Sequence, residues 1–338
     1  MRILVTGGMG DIGRPMVCWL LDKGHEVRVL DLQCEPPIKG AECRQGSILD
    51  FASLHQHMQG MEGVIHLAAY REPSMAPETQ LFQVNVDGTF KIFRAAADAG
   101  IKRVVCASSI NALGYYFGIT FPQDQLRYFP IDEEHPTYTS DPYSFSKQMI
   151  EEIGRYFWRR EGITSLFLRF PLVVDPFAKG SVESIATKMK WMMKKCKLQT
   201  AQVIELLEPQ RSQQVHQYIA EYQARAQSRV LESKFDFNNA PESTPMMVGR
   251  ANFWTVLDVR DAAQAAEKGL LVDYQGSHAA FINDDHNYLG LPSEELIKVW
   301  FPNVTTRKRP LSGTESLVSI DYARELIGFE VKFPYRLA

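Results

Sequence analysis

Residues 6–13 read Thr-Gly-Gly-Met-Gly-Asp-Ile-Gly and follow the apolar run Ile3-Leu4-Val5 directly. An apolar run, a glycine turn and the amphipathic stretch Pro15–Lys23 specify a strand, a loop and a helix in that order. Gly7, Gly10 and Gly13 are spaced three apart. At the mouth of a helix, backbone N–H groups point outward and the macrodipole is positive. That end binds a pyrophosphate when no side chain blocks the approach. A glycine turn can be purely structural, and alone it is weak evidence. Here it has the right flanks on both sides, which makes Gly7, Gly10, Asp11, Ile12 and Gly13 candidate dinucleotide contacts.

The next apolar run, Val27 to Leu30, ends in Asp31, eighteen residues past Gly13. A carboxylate at that distance accepts from the ribose 2′-OH of an adenosine and repels a 2′-phosphate, so NAD is expected over NADP. Arg28 lies within the strand, poorly placed to rescue a phosphate. The alternative for Asp31 is a strand-end turn residue.

Strand and helix signals keep alternating. Strands are expected at 2–6, 26–30, 63–67, 103–107 and 165–169, with helices including Pro15–Lys23, Asn85–Ala99 and Tyr143–Glu161. That alternation implies an α/β fold, a doubly wound parallel (Rossmann) sheet. After Pro176 the pattern changes. Residues 181–232 carry two long helical runs broken near Pro209, then a loop (Asn238–Pro245), then strand signals at Phe253–Leu257 and Ala279–Asn283. The nucleotide domain is therefore expected to be discontinuous, 1–176 with 249–285. Residues 177–248 and 286–338 are expected to form a smaller, largely helical C-terminal cap that binds substrate.

A chain of 338 residues, 45% apolar, supports a core of this size. The net charge of −3 gives no field for nucleic acid, and the lysines of 188–197 read as a solvated helix face. No run approaches the ~20 apolar residues of a membrane span. Five scattered cysteines without a CxxC fit a reducing cytosol, with neither a disulfide frame nor a metal site.

Tyr143-Ser-Phe-Ser-Lys147 opens a long helix behind the start signal Asp141-Pro142. At i and i+4 the phenol and the ammonium share a face. The lysine and the positive nicotinamide ring of a bound cofactor are together expected to lower the tyrosine pKa from about 10 toward working pH and so make Tyr143 a general base. Upstream, Arg103 to Ser109 is a strand ending in two serines, at the sheet edge where ligands sit in such folds.

Taken together these residues resemble the extended short-chain dehydrogenase/reductases, specifically the NAD-dependent epimerase/dehydratase group. The glycine turn, Asp31, His66-Leu-Ala-Ala69, Asn85-Val-Asp-Gly-Thr89, Ser108-Ser109, Tyr143/Lys147 and Arg260-Asp261-Ala-Ala263 stand in the family's order. The resemblance implies Ser109 as the catalytic serine, Tyr143 as the acid/base, and Lys147 on the nicotinamide ribose. It implies Leu67, Ala68, Ala69, Ser108 and Pro171 along the cofactor, Ser47 and Ile48 beside adenine, and Asn85 near the active site or as a helix cap. It also implies a homodimer built on the helices Asn85–Ala99 and Tyr143–Glu161, where Phe90, Ile92, Phe93, Ile150, Ile153, Tyr156 and Phe157 exceed one buried stripe.

Departures from the family pattern narrow the subclass. Ile110 and Asn111 stand where the family's dehydratases carry an acidic pair. Leu172 and Trp254 replace the Asn and Arg of nucleotide-sugar enzymes, with Arg250 or Arg309 as possible replacements. Ser108-Ser109-Ile-Asn111-Ala-Leu-Gly-Tyr115 looks closer to the family's free-sugar and uronate dehydrogenases. The substrate candidates are thus Ser109, Asn111, Arg71-Glu72, with Arg71 either a clamp on a substrate carboxylate or hydroxyl or a loop surface charge, and Trp254 stacked on a sugar face. His66 and Arg169 are expected to be structural. The expected activity is NAD-dependent oxidation of a sugar or sugar-acid secondary alcohol, with a UDP-sugar epimerase as the enzymatic rival and a non-catalytic NAD sensor as the other.

Overall fold

The computed structural model describes residues 1–115, 126–176, 181–228 and 244–336. In chain order its elements are β1 (Arg2–Thr6), α1 (Gly13–Asp22), β2 (Glu26–Asp31), β3 (Glu42–Gln45), α2 (Phe51–Met58), β4 (Gly63–His66), α3 (Glu78–Phe82), α4 (Gly88–Asp98), β5 (Arg103–Ser109), α5 (Pro142–Glu161), β6 (Thr164–Phe170), β7 (Leu172–Val174), α6 (Ser181–Glu205), α7 (Gln210–Ser228), α8 (Thr244–Ala251), β8 (Val256–Asp258), α9 (Val259–Leu271), β9 (Ser277–Phe281), α10 (Ser293–Trp300) and α11 (Asp321–Ile327).

Seven strands form one sheet in the order β3-β2-β1-β4-β5-β6-β9, every pair parallel; β7 and β8 form a separate parallel pair. Parallel strands need both faces covered, so they read as continuous apolar runs. All four residues of β4 and all seven of β6 are buried. One apolar cluster built around Met16, Val17, Ala262 and Ala266 covers one face; another around Ile92, Phe93, Ile150 and Phe157 covers the other. The strand order reverses between β1 and β4, leaving a crevice at their C-terminal ends.

The edge strand β3, Glu-Cys-Arg-Gln, escaped the sequence reading because it has no apolar run. Its pairing to β2 is reinforced by Arg28 Nε donating to Glu42 at 2.8 Å. The helix expected at Asn85–Ala99 begins earlier. α3 passes into α4 through a π-turn over Gln83–Asp87, so Asn85 is interior to the helical run and caps nothing.

The third apolar cluster lies off the sheet, around Met193, Met246, Phe253, Trp254, Trp300 and Phe301. The strand expected from Phe253 does not start there. Phe253 and Trp254 sit at φ of 57° and 52°, a left-handed turn that closes the end of α8, with Trp254 N–H donating to the Gly249 carbonyl at 2.8 Å. The C-terminal segment also departs from the expected division. Ile320, Ala323, Ile327 and Phe329, on and around α11, pack into the sheet's own core rather than into the cap.

Of the residues expected at a dimer seam, Ile92, Phe93, Ile150 and Phe157 are consumed by the protomer's core, and Ile153 packs partly buried against it. Phe90 and Tyr156 remain exposed, joined by Phe82 and Phe145, whose rings stack 5.9 Å apart. Among the described residues, no helix is long and apolar enough to cross a membrane.

Candidate active site

The glycine loop lies in the crevice between β1 and β4. Gly7 has φ of +71°, and a Cβ there would meet the Ala68 backbone nitrogen at 2.6 Å; at Gly13 it would meet the Gly7 carbonyl oxygen at 2.2 Å. The glycines thus let two backbone segments touch, as the spacing required. No side chain caps the N-terminus of α1. An uncapped helix mouth behind a cradle of bare backbone fits a pyrophosphate, so the residues present suit a dinucleotide. Asp31 braces the loop: its carboxylate accepts from Met9 N–H at 2.9 Å and from Leu32 N–H at 2.7 Å.

Across the crevice, Leu67, Ala68 and Ala69 follow β4. Leu67 N–H donates to the Thr6 carbonyl at 3.0 Å. Asn85 fixes the next residue, accepting from Tyr70 N–H at 2.8 Å and donating to its carbonyl at 3.0 Å and to Ser146 Oγ at 3.0 Å. Ser47 and Ile48 lie between β3 and α2, where the Ser47 hydroxyl accepts from Leu49 N–H at 3.2 Å. His66 is structural, as expected. Its ring lies 2.6 Å from Thr6 Oγ1 and 3.0 Å from Thr89 Oγ1, and burial drives its pKa down to about 3, so it is neutral.

The strand β5 delivers Ser108 and Ser109 to the crevice edge; α5 delivers Tyr143 from its first turn and Lys147 one turn later. Asp141 caps that helix by accepting from Ser144 N–H at 2.8 Å, and Pro142 occupies the first position. The Ser109 hydroxyl accepts from Asn111 N–H at 3.1 Å and hydrogen-bonds to Tyr143. Lys147 Nζ donates to the Ala107 carbonyl at 2.7 Å and sits 5.7 Å from the Tyr143 ring centre.

The protein's own groups do not by themselves give the lowering expected of lysine and nicotinamide together. Tyr143 is not lowered: burial pushes it up to about 12, partly opposed by the hydrogen bond to Ser109. Lys147 is itself pulled down to about 8 by burial, against the fields of Cys106 and Glu151, and its ammonium is turned to a carbonyl. Desolvation of the phenol outweighs the Ser109 hydrogen bond and the Arg71 charge that act to lower it.

The sequence reading missed Glu151, which continues the Tyr143, Lys147 row at i+8. Its carboxylate accepts from the Ser108 hydroxyl at 2.7 Å and takes a two-point bond from Arg169 at 3.0 and 2.8 Å, all buried. The signal was present in the four-residue spacing. This network explains Arg169 as a structural residue and ties the ends of β5 and β6 to α5.

The substrate candidates fare unevenly. Asn111 is 8% exposed, and its side-chain oxygen has no hydrogen-bond partner. Arg71 is ion-paired to Asp11. Trp254 is 0% exposed, its ring edge-on to Phe301 at 6.0 Å. It therefore offers no face to a sugar, and the expected stacking role is corrected to a core role. Leu172 is half-buried against the off-sheet cluster, and Pro171 joins β6 to β7. Arg250 is spent on the Trp300 carbonyl, with bonds of 3.1 and 2.9 Å, and Arg309 on Glu315 and Asp321 at 2.5 and 3.2 Å. The acidic group Asp284, Asp285 and His286 is met by cations of its own, Arg336 on Asp284 at 3.1 Å and Arg324 on Asp285 at 3.2 Å.

A serine, a tyrosine and a lysine at the edge of a doubly wound sheet, beside a glycine cradle, define a short-chain dehydrogenase/reductase type of site. The chain belongs to the NAD dependent epimerase/dehydratase family, whose model matches residues 3–236. It is 26% identical over 170 residues to a uronate dehydrogenase of Pseudomonas syringae, covering 50% of this chain and 58% of that protein. It is 30% identical over 193 residues to a UDP-glucose 4-epimerase of Lactobacillus helveticus, covering 54% of each. The matched stretch thus spans little more than half of these curated relatives. A short-chain dehydrogenase/reductase superfamily protein of Agrobacterium tumefaciens with bound NAD shares the fold at a TM-score of 0.61 and 23% identity, covering 98% of this chain and 93% of that one.

Proposed function

We propose that this chain is an NAD-dependent oxidoreductase acting on a secondary alcohol of an unactivated sugar or sugar acid. One observation carries the choice of substrate. A nucleotide sugar brings a diphosphate that needs charge-assisted partners, and Arg250 and Arg309, the two replacements the sequence suggested for the missing Asn and Arg, are already committed. The similarity to a uronate dehydrogenase supports the same reading.

In the proposed reaction the substrate hydroxyl lies between Ser109 and Tyr143. When bound, NAD supplies the acceptor for the hydrogen and electron pair that leave the carbinol carbon, together with a positive charge. Tyr143 takes the hydroxyl proton, and Ser109 donates to the forming carbonyl oxygen. A phenol held near 12 needs that added positive charge to ionise, so Tyr143 becomes a base only in the loaded site. Lys147, fixed by Ala107, lies beside Tyr143 as the ribose-binding cation.

The epimerase reading is kept alive by the 30% identity to a UDP-glucose 4-epimerase. One experiment separates the two: free sugars, uronates and UDP-glucose are incubated with NAD, absorbance is followed at the NADH band, and UDP is titrated calorimetrically. A dehydrogenase accumulates NADH with an unactivated substrate and binds UDP weakly. Micromolar UDP affinity without net NADH would replace this reading with the epimerase.

We further infer a cytosolic homodimer. Phe82, Phe90, Phe145 and Tyr156 leave an aromatic patch on α3, α4 and α5 that a second copy would cover. A monomer by light scattering at micromolar concentration would refute it.

A further inference from the structure

The ion pair between Arg71 and Asp11 joins the two walls of the nucleotide crevice. Asp11 belongs to the loop after β1 and Arg71 to the loop after β4, the two strands between which the sheet order reverses. A dinucleotide bound at that reversal lays its pyrophosphate at the mouth of α1, between these two loops. Both anchors are firm. Tyr70, the residue before Arg71, is held by two hydrogen bonds to Asn85, and the glycine loop is held by Asp31 through Met9. The Arg71 side chain is 61% exposed and that of Asp11 36%, so the pair crosses the crevice toward its outer rim. The other cation of this helix start, Arg14, turns away to donate to the Pro36 carbonyl at 2.5 Å.

We propose that Arg71 and Asp11 form a clasp across the switch-point crevice that retains the bound dinucleotide by closing over its pyrophosphate. Two physical points favour the clasp over a substrate clamp. Asp11 stands just before the first residue of α1, at the helix mouth, where its charge would by itself repel a pyrophosphate and is tolerable only when a cation cancels it. The Arg71 guanidinium is already occupied on the cofactor side, so reaching a substrate carboxylate would cost it that bond. Arg71 and Glu72 face Tyr143 closely enough for their charges to act on it, Arg71 lowering and Glu72 raising its pKa. The clasp therefore lies where the pyrophosphate channel meets the catalytic end. Solvent-screened pairs contribute little to folding, so the device acts on the rate of release rather than on the fold.

The clasp rests on the NAD reading above, and the test begins there. Saturable NADH binding to the wild-type chain is measured by fluorescence, followed by stopped-flow displacement with excess NAD. Arg71→Met and Asp11→Asn should each release NADH about three- to fivefold faster, with thermal unfolding unchanged and the KM for the oxidised substrate within about twofold. Slower release from Asp11→Asn would overturn the clasp, because Arg71 would then be a direct phosphate ligand freed by losing a competitor. Unchanged release in both variants would also overturn it, as would a raised substrate KM in Arg71→Met without faster release. A wild-type chain that binds no NADH would refute the cofactor reading itself, a result distinct from any of these.

Discussion

The crevice between β1 and β4 and the off-sheet lobe around α8 and α10 both hold groups able to bind a ligand, and they dispose of them in opposite ways. In the crevice the binding groups are backbone: bare glycines, an uncapped helix mouth, strand-end amides. Side chains such as Asp31 and Asn85 hold that backbone in shape. In the lobe the side chains that looked fit for a ligand are spent on the lobe itself. Arg250 closes on the Trp300 carbonyl, Arg309 on two carboxylates, and Trp254 fills the core. Function built from backbone is dictated locally, whereas function built from side chains depends on which neighbours claim them first.

The sharpest way to break that contrast is at the catalytic end. Tyr143→Phe should lower turnover about 10²- to 10⁴-fold while leaving NADH affinity within about twofold, because the crevice does not use the phenol. Near-normal turnover would remove Tyr143 from the chemistry, and lost NADH affinity would show that the two regions are not separable.

The lobe is tested next. Trp254→Ala should cost about 3–5 kcal/mol of unfolding free energy, as expected for emptying a fully buried indole site. Trp254→Phe should cost less and leave the substrate KM unchanged. A raised KM in Trp254→Phe with unaltered stability would return the indole to the substrate and erase the contrast.

A smaller effect is expected at Asp31. The wild-type chain should prefer NAD to NADP by about 1.4 kcal/mol, or tenfold, or more. Asp31→Asn keeps an acceptor for Met9 N–H but removes the charge, so titration of both cofactors should show the preference shrinking toward parity. An unchanged preference would place the adenosine ribose elsewhere.

How much the sequence disclosed follows the same division. Six of the sheet's seven strands and the helical runs on either side of Pro209 were legible because each is a local pattern, an apolar run or a helical period; the spacing of four put Tyr143 and Lys147 on one helix, which is α5, while Ser109 was singled out only through the family resemblance. The polar edge strand β3 was not legible, since its pairing to β2 supplies what its composition lacks. The burial of Trp254 was hidden because it depends on Phe301, nearly fifty residues away, and on a left-handed turn that the apolar run Phe253–Leu257 disguised as a strand. The tyrosine's raised pKa was hidden for a related reason: spacing shows which charge is near, while desolvation is a property of the finished core.

The outermost strand of the sheet has a consequence for how the chain is made. β9 pairs with β6, yet about a hundred residues of cap and lobe separate Phe170 from Ser277. On a ribosome adding roughly 5–20 residues each second, β6 stands as an open apolar edge for something like 5–20 s after its own residues emerge. The newborn chain therefore passes through an interval in which its nucleotide half is nearly complete but unsealed, and chaperone demand and aggregation should concentrate there.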